Sequence, residues 1–177
     1  MFDILGSLGG LEGLDVVDLF AGSGALGIEA LSRGAASATF VETDPVAADA
    51  IEANLQATGF TGARSAGAAA SGTVPGSAAA VGTVEDPAPV VRVVRSDAVG
   101  YLRNGAGPFD VAFCDPPYDF EAWTELLRAL RADIAVLESH TPVEVPETFV
   151  THRVYRYGGT LVTLVKARSR AAPKGKA

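Results

Sequence analysis

Asp115-Pro116-Pro117-Tyr118 follows an apolar run, Phe109 to Cys114, that reads as a buried strand. The two prolines remove two backbone donors and fix φ near about −65°, so the chain turns sharply and leaves its carbonyls as outward acceptors. An Asp carboxylate beside such a carbonyl can accept both N–H bonds of a flat exocyclic amine. The tyrosine ring can stack on the heterocycle that carries the amine. A Pro-Pro turn ending in a surface tyrosine is the plainer reading of the same residues.

A second motif lies near the N-terminus. Val16-Val17-Asp18-Leu19-Phe20 leads into Ala21-Gly22-Ser23-Gly24-Ala25-Leu26-Gly27, where Gly22, Gly24 and Gly27 match G-x-G-x-x-G between a strand and a helix over Leu26 and Ile28 to Leu31. Glycines there permit a tight turn and close approach of a ligand to the backbone. A nicotinamide or flavin dinucleotide fits this spacing as well as any other adenosine cofactor. The next apolar run, Ala38 to Val41, ends in Glu42, placed to accept from both ribose hydroxyls.

Strands must deliver these groups to one place. Val90 to Val94 predicts a third strand ending at Asp97, which could accept from an adenine amine or cap a helix over Ala98 to Arg103. The fourth strand delivers Asp115. Ligands of open α/β sheets collect at the carboxyl ends of strands, where Asp18 or Gly22, Glu42, Asp97 and Asp115 fall in chain order. A dinucleotide dehydrogenase has no use for Asp-Pro-Pro-Tyr at the fourth end, whereas methyl transfer to an amine does.

Asp18 to Ala35 (DLFAGSGALGIEALSRGA), Phe40-Val41-Glu42 and Asp115 to Tyr118 together resemble the RsmD type of bacterial 16S ribosomal RNA (guanine-N2)-methyltransferase. The resemblance runs from Phe2 to about Lys166, and Arg156-Tyr157-Gly158 is similar to the family's C-terminal Tyr-Gly segment, with Gly159 replacing a polar residue. It implies a Rossmann-like α/β methyltransferase fold, a seven-stranded, mostly parallel sheet whose last strand is antiparallel. It also implies S-adenosyl-L-methionine as cofactor, contacted by Asp18, Ala21, Gly22, Ser23, Gly24, Glu42, Asp97 and Ala98. Asp115, Pro116, Pro117 and Tyr118 become the catalytic set, and the exocyclic amine of a guanine in 16S ribosomal RNA, within a small-subunit particle, becomes the substrate. DNA adenine or another amine substrate, or a cofactor-binding core without activity, are the other readings.

Two departures from the family stand out. Its members carry an arginine-rich hairpin arm before the segment equivalent to Phe2–Leu5, and this chain starts inside what resembles the end of that arm. The expectation is a natural start further upstream and weak RNA binding by the chain as it stands. Residues 61–89 are nearly all Ala, Gly, Ser, Thr, Pro and Val, with only Arg64, Glu85 and Asp86 charged, and predict a flexible surface insertion.

The 177 residues, 48% hydrophobic, suit one methyltransferase domain over 1–166 and a basic, disordered tail over 167–177. The longest apolar runs are strand-length, which excludes a membrane-spanning helix, and no apolar leader opens the chain. One cysteine, Cys114, suits a cytoplasmic protein and reads as a small buried residue rather than a nucleophile; a monomer is expected. The net charge of −7 opposes bulk attraction to phosphate. Lys166, Arg168, Arg170, Lys174 and Lys176 gather with no acid near the C-terminus, where they could track phosphates or simply be solvated.

Leu126, Leu127 and Leu130, with Trp123, predict an amphipathic helix over Phe120 to Ala132, and Ile134 to Leu137 a fifth strand. Val150 to Tyr157 and Thr160 to Val165 predict a hairpin turned at Gly158-Gly159, after a loop over Pro142 to Pro146. His140 and His152 have no partners at metal-ligand spacing, so no metal site is expected.

Overall fold

The structure, a computed structural model, describes residues 2, 6, 9–60, 64–66 and 88–168. Strand and helix alternate: β1 (Asp15–Leu19), α1 (Ala25–Ser32), β2 (Ser37–Glu42), α2 (Pro45–Ala57), β3 (Arg64–Ala66), β4 (Val90–Arg95), α3 (Ala98–Arg103), β5 (Phe109–Cys114), α4 (Trp123–Ala129) and β6 (Ala132–Ser139), then the hairpin β7 (Phe149–Tyr157) and β8 (Thr160–Ala167). They form one sheet in the order β3-β4-β2-β1-β5-β6-β8-β7. Every pairing from β3 to β6 is parallel, and β8 runs antiparallel between β6 and β7. The seven longer strands give the expected mostly parallel sheet with an antiparallel last strand.

Burial on both faces explains why the central strands are continuous apolar runs rather than alternating ones. Val17, Leu19, Ala112 and Cys114 face α3 and α4 through Leu102, Leu126 and Leu127. Val16, Val111 and Phe113 point to the opposite face with Ala30 of α1, as the two-residue strand period requires. Phe40 packs with Ile51 and Leu55 of α2. Asp44 caps α2 by accepting from the Val46 N–H at 3.0 Å, and Pro45 supplies the preset φ of a first helical residue. No helix among the described residues is long and apolar enough to cross a membrane.

Three expectations change. The insertion over 61–89 contains the edge strand β3, parallel to β4, while 67–87 lie outside the described residues. The helix expected over Phe120 to Ala132 is shorter: Leu130 is already extended, and Ala132 pairs with Phe109 in the sheet. Sheet pairing outcompetes the last helical turn. The tail over 167–177 is described only to Arg168, and Ala167 still belongs to β8.

Gly27 shows why the third glycine of the N-terminal motif is needed. A Cβ there would stand 2.3 Å from Cε1 of Phe40, which is itself fully buried. Gly27→Ala should therefore destabilise the fold by about 1–3 kcal/mol through overpacking. Urea unfolding measures this, and an unchanged midpoint would mean that α1 and β2 can separate freely.

Candidate active site

The carboxyl ends of β1, β2, β4 and β5 open on one cavity of about 540 Å³. Gly22, Glu42, Asp97, Ala98 and Asp115 to Tyr118 all line it. After β1 the chain turns through Gly22 and Gly24 at φ values of 55° and 82°, a left-handed region that costs a side chain strain. Glu42 locks this turn to the end of β2. One of its oxygens accepts from the Gly22 N–H at 2.7 Å, and the other from the N–H groups of Thr43 and Asp44 at 2.7 and 2.8 Å. Asp97 caps α3, accepting from the Gly100 N–H through Oδ1 at 2.7 Å, while still lining the cavity. The cap and the ligand-facing position coexist.

Four of the predicted cofactor residues do not line this cavity. Ala21, Ser23 and Gly24 build the turn itself: the Gly24 N–H donates to the Ala21 carbonyl at 2.7 Å, and Asn54 Nδ2 donates to the Ser23 carbonyl at 2.9 Å. Asp18 is buried, and its Oδ2 accepts from the Gly27 N–H at 2.9 Å, bracing the start of α1. Phe20, Thr43, Ser96, Val99 and Phe120 line the cavity without having been singled out in the sequence. Phe20 holds φ at 65°, unusual for a residue with a side chain, and its ring meets Phe120 edge-on at 5.0 Å. The only sequence signal for these residues is their position beside a strand end.

Burial pushes the Asp18 carboxyl up to about 7 against the Gly27 hydrogen bond that lowers it, with Asp115 and Glu42 raising it further. Native Asp18 thus keeps its proton to higher pH than the unfolded chain does. Its contribution to stability is full below pH 3.8 and is lost as pH rises towards 7. Relative to Asp18→Asn, which keeps an acceptor for Gly27, the parent should lose on the order of 4 kcal/mol across that window. Urea midpoints of both proteins from acid to neutral pH measure the difference, and parallel curves would show that Asp18 is ionised throughout.

A smaller cavity, about 70 Å³, is lined by the same Asp115–Tyr118 segment and by Phe120, and walled by Glu138, Ser139 and His140 from the end of β6 and by Thr160 of β8. Tyr118 is 88% exposed, and its ring lies 4.2 Å from that of His140. His140 is held in turn by Nδ1, 3.0 Å from the Gly159 carbonyl oxygen. Burial moves the Asp115 carboxyl upward. Cys114 is buried, and burial raises its thiol well above the ordinary range, which leaves it inert as a nucleophile. No cluster of His, Cys, Asp and Glu that could hold a metal occurs among the described residues. The arrangement suits a nucleoside-sized ligand in the larger cavity and a flat amine at Asp115.

A family model described as "Conserved hypothetical protein 95" matches residues 1–78. The chain is 32% identical over 147 residues to ribosomal RNA small subunit methyltransferase D of Escherichia coli K12, covering 77% of this chain and 60% of the relative. It therefore spans 60% of that relative's length. It is also 32% identical over 165 residues to the Bacillus subtilis protein YlbH, an rRNA methyltransferase by name, covering 86% of this chain and 75% of YlbH. Among solved structures, Escherichia coli yhhF, named as a methyltransferase, superposes with a TM-score of 0.70 at 27% identity, over 96% of this chain and 82% of its own. Magnesium protoporphyrin IX methyltransferase of Synechocystis, solved with bound SAM, shares the fold at a TM-score of 0.62 and 15% identity, over 94% and 76% of the two chains.

Proposed function

Since the chain belongs to the RsmD-type family of small-subunit ribosomal RNA methyltransferases, we propose that it methylates the exocyclic N2 amine of a guanine in 16S ribosomal RNA, using S-adenosyl-L-methionine. The observation that carries the reading is the convergence of Gly22, Glu42, Asp97 and Asp115 from four strand ends on one cavity. The cofactor fits that donor set. Glu42 is an acceptor for ribose hydroxyls, Asp97 an acceptor for an adenine amine, and the Gly22 turn offers no side chain to obstruct approach. Asp18, Ala21, Ser23 and Gly24 support this set by shaping the turn.

Bound S-adenosyl-L-methionine supplies an electrophilic sulfonium methyl group. The protein's own task is alignment of a weak nucleophile. Asp115 and the Pro116 carbonyl accept the two amine hydrogens, which draws the nitrogen away from conjugation with its ring and turns its lone pair into the cavity. Tyr118, exposed on the rim, stacks on the base, which must leave its own stack to arrive there. No covalent intermediate on the protein is needed, and the proton that the methylated amine must shed would pass to the Asp115 carboxylate that already accepts it, or to solvent.

Transfer of tritium from labelled cofactor to 30S particles, free ribosomal RNA, DNA and protein tests the reading, using this chain and an arm-extended version. Label in N2-methylguanosine of 16S RNA is expected. Label in DNA adenine would replace the substrate, and no transfer by either version would leave a cofactor-binding core.

A further inference from the structure

The smaller cavity adjoins the larger one, sharing Asp115 to Tyr118 and Phe120 with it, and sets a second carboxylate beside Asp115. Asp115 and Glu138 both face it, and neither has a hydrogen-bond or ion-pair partner among the described residues. Their positions follow from register: Cys114 of β5 pairs with Leu137 of β6, so the next residues, Asp115 and Glu138, leave adjacent parallel strand ends side by side. Burial foremost, and the charge of Asp115 next, push the Glu138 carboxyl upward, while His140 opposes the shift. Two neighbouring carboxylates, neither of them hydrogen-bonded to a described residue, suit a ligand edge rich in N–H groups.

Among the amino bases, that requirement picks out one. Guanine carries its amine beside a ring N1–H, so the edge offers donors to both carboxylates. Adenine and cytosine carry theirs beside a ring nitrogen with a lone pair, which would face Glu138 without a proton. A site built to accept a hydrogen rejects the analogue that lacks it, because a buried acceptor is left unpaired. The cavity of about 70 Å³ admits the edge of a base rather than a whole nucleotide, and the rings of Tyr118 and His140, 4.2 Å apart and inclined at 54°, are both in its wall. Resting on the function proposed above, we propose that Glu138 accepts the N1–H of the target guanine and is the residue that selects guanine over the other amino bases.

The test reads binding as well as turnover. Dissociation constants for GMP and for 2-aminopurine riboside 5′-monophosphate, which keeps the amine but lacks the N1–H, are measured by NMR titration. The protein is saturated with S-adenosylhomocysteine, so the cofactor site is constant. The parent should prefer GMP by at least about tenfold. Glu138→Gln can turn an amide N–H towards the bare nitrogen, and should cut that preference to about twofold or less while keeping the parent's affinity for S-adenosylhomocysteine. Its methyl transfer to 30S particles should fall about tenfold or more. Glu138→Asp, which retains the carboxylate, should restore part of the GMP preference. A preference unchanged by Glu138→Gln, or binding of neither nucleotide, overturns the assignment. A parent that discriminates as expected yet methylates no RNA would instead refute the proposed reaction and leave the base recognition standing.

Discussion

Single-turnover methyl transfer to 30S particles is expected to fall by two or more orders of magnitude in Asp115→Ala, since one preorganised polar contact at a reacting centre is worth about 2.7–4 kcal/mol. Cofactor affinity should stay close to the parent's, because the proposed partner of Asp115 is the target amine. Asp115→Asn separates charge and shape. It keeps one acceptor oxygen and turns a donor towards an amine that has only hydrogens to offer, so its loss should be smaller than that of alanine but still at least about tenfold. The assay belongs in an arm-extended version of the chain, so that RNA docking does not limit the rate. If both variants transfer methyl groups at the parent rate, Asp115-Pro116-Pro117-Tyr118 is only a turn.

The second large effect is expected at Glu42, and it falls on binding rather than turnover. Glu42→Ala removes the proposed ribose acceptor and also strips three backbone N–H groups, those of Gly22, Thr43 and Asp44, of their partner. Hydrogen bonds to a charged group are worth roughly 1.5–3 kcal/mol each, so S-adenosyl-L-methionine should bind at least about tenfold more weakly by calorimetry. Unchanged affinity would make Glu42 a brace of the glycine turn and nothing more. Thermal unfolding of the same variant reports the brace separately, because it needs no ligand.

Much of this arrangement was legible in the sequence for definite reasons. Strands buried on both faces announce themselves as apolar runs, as in β1, β2 and β5, and the valines of β4 stand out although Arg92 and Arg95 are exposed, so these strands and the acids at their ends could be read in order. Three kinds of information could not. β3 has only three residues inside a low-complexity stretch, too few for any period to show. Leu130 and Ala132 satisfy a helical pattern and a strand equally, and pairing with β5 decides between them. The third is direction. Asp18 and Glu42 are both acids near strand ends, yet one points into the core to hold Gly27 and the other lines the cavity. Phe20 and Phe120 meet only because the turns after β1 and β5 face each other, which no linear spacing encodes.

The position of β8 between β6 and β7 carries a consequence in time. A ribosome makes Ala132–Ser139 and Phe149–Tyr157 before Thr160–Ala167, yet the two earlier strands do not pair with each other. Until β8 emerges, β6 presents a row of unpaired backbone groups, the kind of edge that recruits other chains. The turn at Gly158-Gly159 lets β7 and β8 arrive as one hairpin, which closes the edge in a single docking event. That hairpin also brings Thr160 to the wall of the smaller cavity and the Gly159 carbonyl to His140. A nascent chain halted at Tyr157 would therefore hold every strand end that shapes the larger cavity, but an unfinished smaller cavity, the one proposed to take the base. The arrival of β8 is what completes the wall of the smaller cavity.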